Sequence, residues 1–183
     1  MVRSCCCCII LCSVTICVIF YSPSGEANAD IHGRERTLAV VKPDGVRGNH
    51  TDAIKATIEG SGFDIVKEMS LQLDLMTAQI LYFEHYRKPF FQELINFMTS
   101  GPIVAMVLEH DNAVEKWRKL IGPTDPNKAR IEQPNSIRAI CGSSTTQNCV
   151  HGSDSSAAAN REIMIIFKDV QSGEATNSRH DEL

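Results

Sequence analysis

Short apolar runs alternate with helical patterns along most of this chain, and that order constrains the fold more than any other feature. Runs that are continuously apolar or strictly alternating predict strands at 36–42, 63–73, 103–110 and 163–167. Apolar residues at helical spacing predict helices at 51–59, 77–86, 89–98, 112–121 and 155–162. Strands separated by helices in this order predict an α+β domain, with one antiparallel sheet covered by helices on one face.

The composition is that of a chain with a single core of ordinary size. The chain has 183 residues, of which 43% are hydrophobic and 22% are charged. Its net charge of −4 gives no sign of the positive field that nucleic acids require, so we expect no specific binding of nucleic acid. One soluble domain is the expectation.

Both ends of the chain carry targeting patterns. Residues 1–29 combine Arg3, a long apolar core and small residues before position 30, as secretory signal peptides do. The last four residues, HDEL, form the address for retention in the endoplasmic reticulum. We therefore predict residence in the lumen of the endoplasmic reticulum, with a signal peptide at 1–29, a linker at 30–35 and a disordered polar tail at 170–183. An uncleaved anchor at 1–29 is the alternative, whereas the cleaved form is expected to have no stable membrane span.

Removal of residues 1–29 would leave only two of the eight cysteines, Cys141 and Cys149. In an oxidising compartment these two can form a disulfide just before His151, or they can remain two separate buried thiols. The same compartment makes Asn49, in the sequence Asn-His-Thr, a glycosylation sequon. A carbohydrate there requires Asn49 to lie on a surface loop.

One stretch, from Gly122 to about Cys149, shows no regular apolar pattern. A long unpatterned loop inside a compact domain is commonly functional. Polar side chains suited to ligand binding occur in this loop and just beyond it, at Thr124, Arg130, Arg138, Asn148 and His151. We therefore expect a binding site at the loop.

Three cationic residues from distant parts of the chain, Lys42, Arg118 and Arg138, are candidates for one anion site. Arginine forks match phosphate oxygens two at a time. Such a set neutralises a triphosphate without carboxylate ligands for a metal, so Mg²⁺ would be carried by the nucleotide and no protein metal site is predicted. The alternative is that Arg118 belongs to the solvated face of its helix. Of the adjacent Phe90 and Phe91 only one can face the core, which leaves the other free to stack on a base.

His151 directly precedes a predicted helix, in the sequence His-Gly-Ser-Asp-Ser. A neutral imidazole keeps one nitrogen lone pair near pH 7, which makes it a nucleophile for phosphorus. Glu162 is a candidate to hold the ring in one tautomer, and the Ser153 hydroxyl is a candidate to fix that carboxylate. The alternative is a histidine that only caps the helix or packs in the core.

Six motifs together carry a family resemblance. They are VKPDGV at 41–46, EHY with PFF at 84–91, SGPIVAMV at 100–107, GPTDP at 122–126, SIR at 136–138 and NCVHGSDS at 148–155. With these motifs the chain resembles the nucleoside diphosphate kinases from about Arg36 to Asp169. The predicted domain is therefore 36–169.

The resemblance implies a ferredoxin-like βαββαβ core and transfer of the γ-phosphate from a nucleoside triphosphate to a nucleoside diphosphate through a phosphohistidine, with Mg²⁺. It implies that His151 is phosphorylated, that Glu162 supports it, and that Tyr86 lies near the lysine and helps to place it. It also implies a set of residues that hold the nucleotide, which are Lys42, Phe90, Arg118, Thr124, Arg138 and Asn148. A homo-oligomer of unknown size is expected.

The segment 125–137 departs from the common family pattern, because it is longer than in the housekeeping members and resembles a divergent branch. Divergent members include weak or inactive kinases. The alternative function is therefore a catalytically weak module of the same fold that binds a nucleotide or a protein.

Overall fold

A computed structural model describes residues 34–173, with side chains through Phe167. The predicted signal segment, most of the linker and the HDEL end of the tail lie outside the described residues. The strands are β1 (Glu35–Val41), β2 (Asp64–Leu71), β3 (Ile103–His110) and β4 (Val150–Gly152). The helices are α1 (Pro43–Arg47), α2 (Thr51–Gly60), α3 (Leu75–Leu81), α4 (Phe91–Met98), α5 (Ala113–Ile121), α6 (Pro126–Glu132), α7 (Ile137–Cys141) and α8 (Ser156–Gly173), with a short 3-10 helix at Phe83–His85.

The four strands form one antiparallel sheet in the order β2-β3-β1-β4. β1 lies at the centre, where Leu38 is paired with Val107 of β3 and Val40 with His151 of β4. This order and the helices that connect the strands give the ferredoxin-like α+β fold. The predicted fold class is confirmed.

Helices cover both faces of the sheet, whereas the sequence pattern predicted one covered face. Leu38 and Val40 pack into a core with α3, α4 and α8, and Ala39 and Val41 pack into a second core with α2 and α5. All four side chains are fully buried. A continuously apolar strand buries both of its faces, so the run at 36–42 already contained this information.

The strand predicted at 163–167 is wrong, because these residues belong to helix α8. Ile166 is buried, Ile163 and Phe167 pack against the same core, and Met164 is 48% exposed. Apolar contacts at i, i+3 and i+4 are those of an amphipathic helix. The fourth strand is the three-residue β4 instead, which carries His151 at its centre.

The segment 122–149 contains two short helices that the apolar pattern did not predict. α6 begins with Pro126 in its first turn, and Asp125 caps it by accepting a hydrogen bond from the backbone N–H of Asn127 at 2.9 Å. α7 has only five residues. Helices this short contain too few turns to show an apolar period, so the capping residues were the only available signal.

Among the described residues no helix is both long enough and apolar enough to cross a membrane.

Candidate active site

Strand β4 places His151 at the edge of the sheet, next to helix α5. The indole Nε1 of Trp117 donates a hydrogen bond to the backbone oxygen of His151 at 3.2 Å. At the next residue, Gly152, a Cβ atom would lie 2.6 Å from the Trp117 ring. Only glycine permits this close approach, so the fully buried Trp117 fixes the backbone that carries the histidine.

The His151 ring is held by a carboxylate on helix α8. Its Nε2 lies 2.8 Å from Oε2 of Glu162, and the Ser153 hydroxyl donates to the same oxygen at 2.7 Å. Burial alone would raise the pKa of Glu162, but the hydrogen bond and charge of His151 and the Ser153 hydroxyl outweigh it, so this pKa lies below its ordinary value. An ionised carboxylate only accepts hydrogen bonds, so Nε2 carries the proton and the lone pair of a neutral ring is on Nδ1.

Lys42, directly after β1, is a buried cation with polar partners. Its Nζ donates to Oδ1 of Asn148 at 2.8 Å and to the backbone oxygen of Thr146 at 3.1 Å. Burial, reinforced by the positive charge of Arg138 and partly offset by Asp44, lowers the pKa of Lys42 to about 7. The ammonium is therefore easily stabilised by any anion that reaches it.

Two arginines approach the site from different helices. Arg138, on α7, is almost fully buried and donates to the backbone oxygens of Gly122 at 2.9 Å and Val150 at 3.1 Å. Burial and repulsion from Arg118 lower the pKa of Arg138 to about 10. Arg118, on α5, is more exposed and forms an ion pair with Asp154. Repulsion between these cations means that the site favours an anionic ligand.

These side chains line one cavity of about 470 Å³. Its walls include the catalytic candidate His151 and all the residues predicted to bind nucleotide, which are Lys42, Phe90, Arg118, Thr124, Arg138 and Asn148. Glu162 lies behind the histidine. A second cavity of about 490 Å³ beside α5 is lined by Phe63, Lys119 and Pro134 among others, and in this described part of the fold it contains no histidine or carboxylate.

The comparisons with known proteins agree with this arrangement. Residues 35–172 match the family model for nucleoside diphosphate kinase. The chain belongs to the nucleoside diphosphate kinase family. It is 56% identical over 144 residues to the probable nucleoside diphosphate kinase 5 of Arabidopsis thaliana, a match that covers 79% of this chain and all of that protein.

Bacterial members of the nucleoside diphosphate kinase family are also similar to this chain. The nucleoside diphosphate kinase of Deinococcus radiodurans is 44% identical over 135 residues, which is 74% of this chain and 96% of the relative. A crystal structure of the Aquifex aeolicus nucleoside diphosphate kinase is 43% identical and superposes with a TM-score of 0.72, covering 73% of this chain and 94% of that one.

The prediction that Tyr86 lies near the lysine needs correction. Its side chain is 65% exposed and stacks on Phe83, outside the cavity. Tyr82, one helical turn earlier, lines the cavity instead and meets the His151 ring edge-on, with ring centroids 5.6 Å apart. Ala78, Leu81 and Tyr82 share the buried face at i, i+3 and i+4, which was the signal for the right tyrosine.

The Tyr82 hydroxyl is buried and has no hydrogen-bond partner among the described residues. Burial and the negative charge of Glu162 raise the pKa of Tyr82, so the phenol stays protonated. Buried polar groups are normally paired. An unpaired phenol beside the histidine is therefore available to a ligand oxygen.

The two adjacent phenylalanines face different surroundings, as the helical pattern predicted. Phe91, in α4, is buried in the hydrophobic core, whereas Phe90 is 45% exposed at the cavity mouth. The Phe90 ring lies 5.7 Å from the ring of His85. His85 also lines the cavity and was missed, because no spacing rule connects a 3-10 helix to a site that distant segments build.

Cys141 and Cys149 form a disulfide, with their Cα atoms 6.0 Å apart. The sequence alone is compatible both with this disulfide and with two separate buried thiols. The bond closes the segment that contains the cavity residues Thr145, Thr146 and Asn148. Of these, only Asn148 was predicted from the sequence.

Proposed function

We propose that this protein is an active nucleoside diphosphate kinase, in which Nδ1 of His151 carries the phosphoryl group between two nucleotides. One observation supports the proposal most directly. Nε2 of His151 is hydrogen-bonded to the ionised Glu162, so the lone pair on Nδ1 is available for attack, and the ring lines the cationic cavity. A fixed tautomer beside cations is what attack on a charged phosphate requires.

The reaction consists of two displacements. In the first, the Nδ1 lone pair attacks the γ-phosphorus, an N–P bond forms, and the P–O bond to the leaving diphosphate breaks with its electron pair on that oxygen. In the second, a terminal oxygen of another nucleoside diphosphate attacks the same phosphorus, a new P–O bond forms, and the N–P bond breaks with its electron pair returning to Nδ1 of His151. The proton on Nε2 stays in place throughout, and the Glu162 carboxylate balances the positive charge on the phosphorylated ring.

Three cations oppose the negative charge of the phosphates. Arg138 and Lys42 are held by backbone oxygens and Asn148, so they are already ordered before a ligand arrives. Arg118 would exchange its pairing with Asp154 for a phosphate oxygen. Preorganised charge of this kind stabilises the transition state of phosphoryl transfer without further rearrangement.

Base recognition in this proposal depends on stacking. Phe90 offers an exposed ring at the cavity mouth, and an aromatic face accepts any base. Broad nucleotide specificity follows. The substrates are therefore nucleoside triphosphates and diphosphates as a class.

The donor set indicates how Mg²⁺ would enter the site. In the described part of the chain no group of three or more His, Cys, Asp or Glu side chains forms a metal site, and among these residues Asp154 is the one carboxylate that lines the cavity. Mg²⁺ binds phosphates readily while keeping several waters. The residues therefore fit a metal that arrives on the nucleotide, where it supplies additional charge neutralisation.

The test uses ATP labelled at the γ-phosphate and two histidine variants. We expect an acid-labile, base-stable label on the wild type that moves to added GDP. His151→Gln should abolish the label, whereas His85→Gln, which changes the other histidine of the same cavity, should retain it. Folded wild type that binds ADP but takes up no label would overturn the proposal and favour the binding module.

We also propose that the protein works in the lumen of the endoplasmic reticulum, on the basis of the two targeting patterns. The fold is compatible with glycosylation, because Asn49 is exposed in the turn between α1 and α2. In a eukaryotic host we expect a glycosidase-sensitive mass shift that Asn49→Gln removes. An unshifted wild-type protein would contradict lumenal entry.

A homo-oligomer is the proposed assembly. β2 lies at one edge of the sheet, and an edge strand presents backbone groups to a second chain. Light scattering of the purified protein checks this, and a monomer at micromolar concentration would contradict it.

A further inference from the structure

The Cys141–Cys149 disulfide joins the two elements that carry the reacting parts of the cavity. Cys141 ends helix α7, three residues after Arg138. Cys149 directly precedes β4, two residues before His151. The bond therefore fixes the distance between the helix of a buried phosphate-binding arginine and the strand of the nucleophile.

The segment closed by the bond supplies the partners of Lys42. The Lys42 ammonium donates to Thr146 and Asn148, and the amide of Asn148 in turn donates to the backbone oxygens of Thr124 at 2.9 Å and Thr145 at 3.0 Å. All five residues line the cavity. Most of these contacts end on loop backbone, so their geometry depends on how rigidly the loop is held.

The backbone of Cys149 is itself a fixed point. Its φ is +66°, a conformation that non-glycine residues seldom adopt. Its N–H donates to Oδ2 of Asp44 at 2.9 Å, and its carbonyl accepts from the N–H of Lys42 at 2.8 Å. Such a conformation persists only where its surroundings hold it, and the disulfide is one of these restraints.

We propose that the Cys141–Cys149 disulfide is a positioning element of the nucleotide cavity, so that the oxidised protein binds nucleotide more tightly than the reduced protein. The inference rests on the proposed function, since it takes a nucleoside diphosphate as the ligand. Reduction transfers two electrons and two protons from a dithiol, converts the S–S bond into two thiols and turns the dithiol into its own disulfide. The loop that holds Lys42 and Asn148 then loses its covalent closure.

Thermodynamic linkage makes the effect reciprocal. If the bond tightens nucleotide binding by a given factor, bound nucleotide stabilises the bond against reduction by the same factor. Couplings between sites are typically about 5- to 150-fold. We expect roughly tenfold, which for a two-electron couple corresponds to a midpoint potential about 30 mV more negative in the presence of saturating ADP.

The chemical step should respond less than binding. Glu162 and Ser153, which hold the histidine ring, lie outside the closed loop, on α8 and directly after β4. Reduction should therefore raise KM for the nucleoside diphosphate about tenfold, while kcat changes by less than about threefold. A bond that served only global stability would leave KM of the folded enzyme unchanged.

The experiment measures ADP affinity by calorimetry on the full chain, purified from a eukaryotic secretory host, before and after incubation with dithiothreitol. Peptide mass mapping after differential alkylation reports the state of Cys141 and Cys149 separately from the other cysteines. The same mapping across a series of dithiothreitol ratios, with and without ADP, gives the shift in midpoint potential. This redox readout does not depend on catalytic activity.

Two variants make the test specific. Cys141→Ser removes the bond but leaves the buried Cys149 in place. This variant should bind ADP as weakly as the reduced wild type, and dithiothreitol should not change its affinity. Ser144→Ala removes a loop hydrogen bond to the N–H of Gln147 but keeps the disulfide, and it should retain the redox response.

The outcomes separate this inference from the proposed function. A tenfold loss of affinity on reduction supports the positioning role. Equal ADP affinity in the two redox states, or two free thiols in protein purified under air, overturns it while leaving the kinase proposal intact. Oxidised protein that does not bind ADP contradicts the proposed function itself.

Discussion

The central strands and the segment 142–149 are neighbours in this fold, yet different forces hold them. β1 pairs with β3 along its full length, and its residues 38–41 are apolar and fully buried. The segment 142–149 is held by Lys42, by the side chain of Asn148, by hydrogen bonds within the loop and by one disulfide. The sheet therefore supplies stability, and the loop supplies a polar surface at the point where β1 ends and β4 begins.

The difference has a consequence for substitutions. Changes in the two cores should lower the free energy of unfolding and leave the chemistry of the folded molecules intact. Changes at the cavity should affect binding and turnover much more than stability.

The largest effect on stability is expected in the central strand. Leu38→Ala removes a fully buried side chain and should lower the free energy of unfolding by about 2–5 kcal/mol. Denaturant titration at a fixed protein concentration measures it. Leu75→Ala, at a position 56% exposed, is the matched control and should change stability by less than about 0.5 kcal/mol. Equal losses in the two variants would remove the distinction between framework and surface.

Arg118→Met should show the opposite pattern. The guanidinium pairs with Asp154 in partly exposed surroundings, so stability should change by no more than about 1 kcal/mol. Losing a charge-assisted contact to phosphate should lower kcat/KM about 10- to 100-fold. Lys119→Met, the adjacent cation on the same helix, lies outside the active cavity and should retain activity. Similar losses of kcat/KM in the two variants would mean that activity depends on the overall charge of the helix and not on a cation in the cavity.

The depressed pKa of Lys42 makes nucleotide binding dependent on pH. In the free protein this pKa is about 7, so at pH 8.5 the amine is mostly neutral. Bound phosphate favours the charged form and raises the pKa, so binding takes up a proton. Affinity for ADP should therefore fall about tenfold per pH unit between 7.5 and 8.5.

Calorimetry of ADP binding in two buffers of different ionisation enthalpy measures this uptake directly at pH 8.5. We expect nearly one proton in the wild type and none in Lys42→Met. A wild-type protein that binds ADP equally well at pH 7.5 and 8.5 would show that Lys42 is already charged in the free cavity.

The smallest effect distinguishes two tyrosines one helical turn apart. Tyr82→Phe removes the buried, unpaired hydroxyl beside His151 and should lower kcat/KM about 2- to 10-fold, as expected for one neutral hydrogen bond. Steady-state kinetics checks it. Tyr86→Phe should have no effect, because that side chain lies outside the cavity. If only Tyr86→Phe lowered activity, the prediction from the EHY motif that Tyr86 acts at the site would be right.

The sequence predicted the framework better than the details of the site. β3 was predicted at 103–110 with its observed bounds, because a continuous apolar run between Pro102 and Asp111 has few other interpretations. The strand predicted at 163–167 failed, because five apolar residues fit a helix face as well as a strand. β4 was missed altogether, since three residues cannot show a period.

The site shows the same limit. Lys42, Arg118 and Arg138 were predicted to converge, and they line one cavity. Tyr86 was predicted from its place in the EHY motif, although the apolar spacing of Ala78, Leu81 and Tyr82 indicated that Tyr82 is on the buried face. His85 and Thr146 were missed because their positions depend on tertiary packing rather than on local spacing.

The most direct test of the central claim is to identify the phosphorylated nitrogen. The protein is incubated with ATP, digested under alkaline conditions that preserve phosphohistidine, and the two phosphohistidine isomers are separated by chromatography against standards. Because Nε2 of His151 is hydrogen-bonded to Glu162, we expect the Nδ1 isomer alone, in the peptide that contains His151. Phosphate on Nε2, or on any other residue of the folded protein, would contradict it.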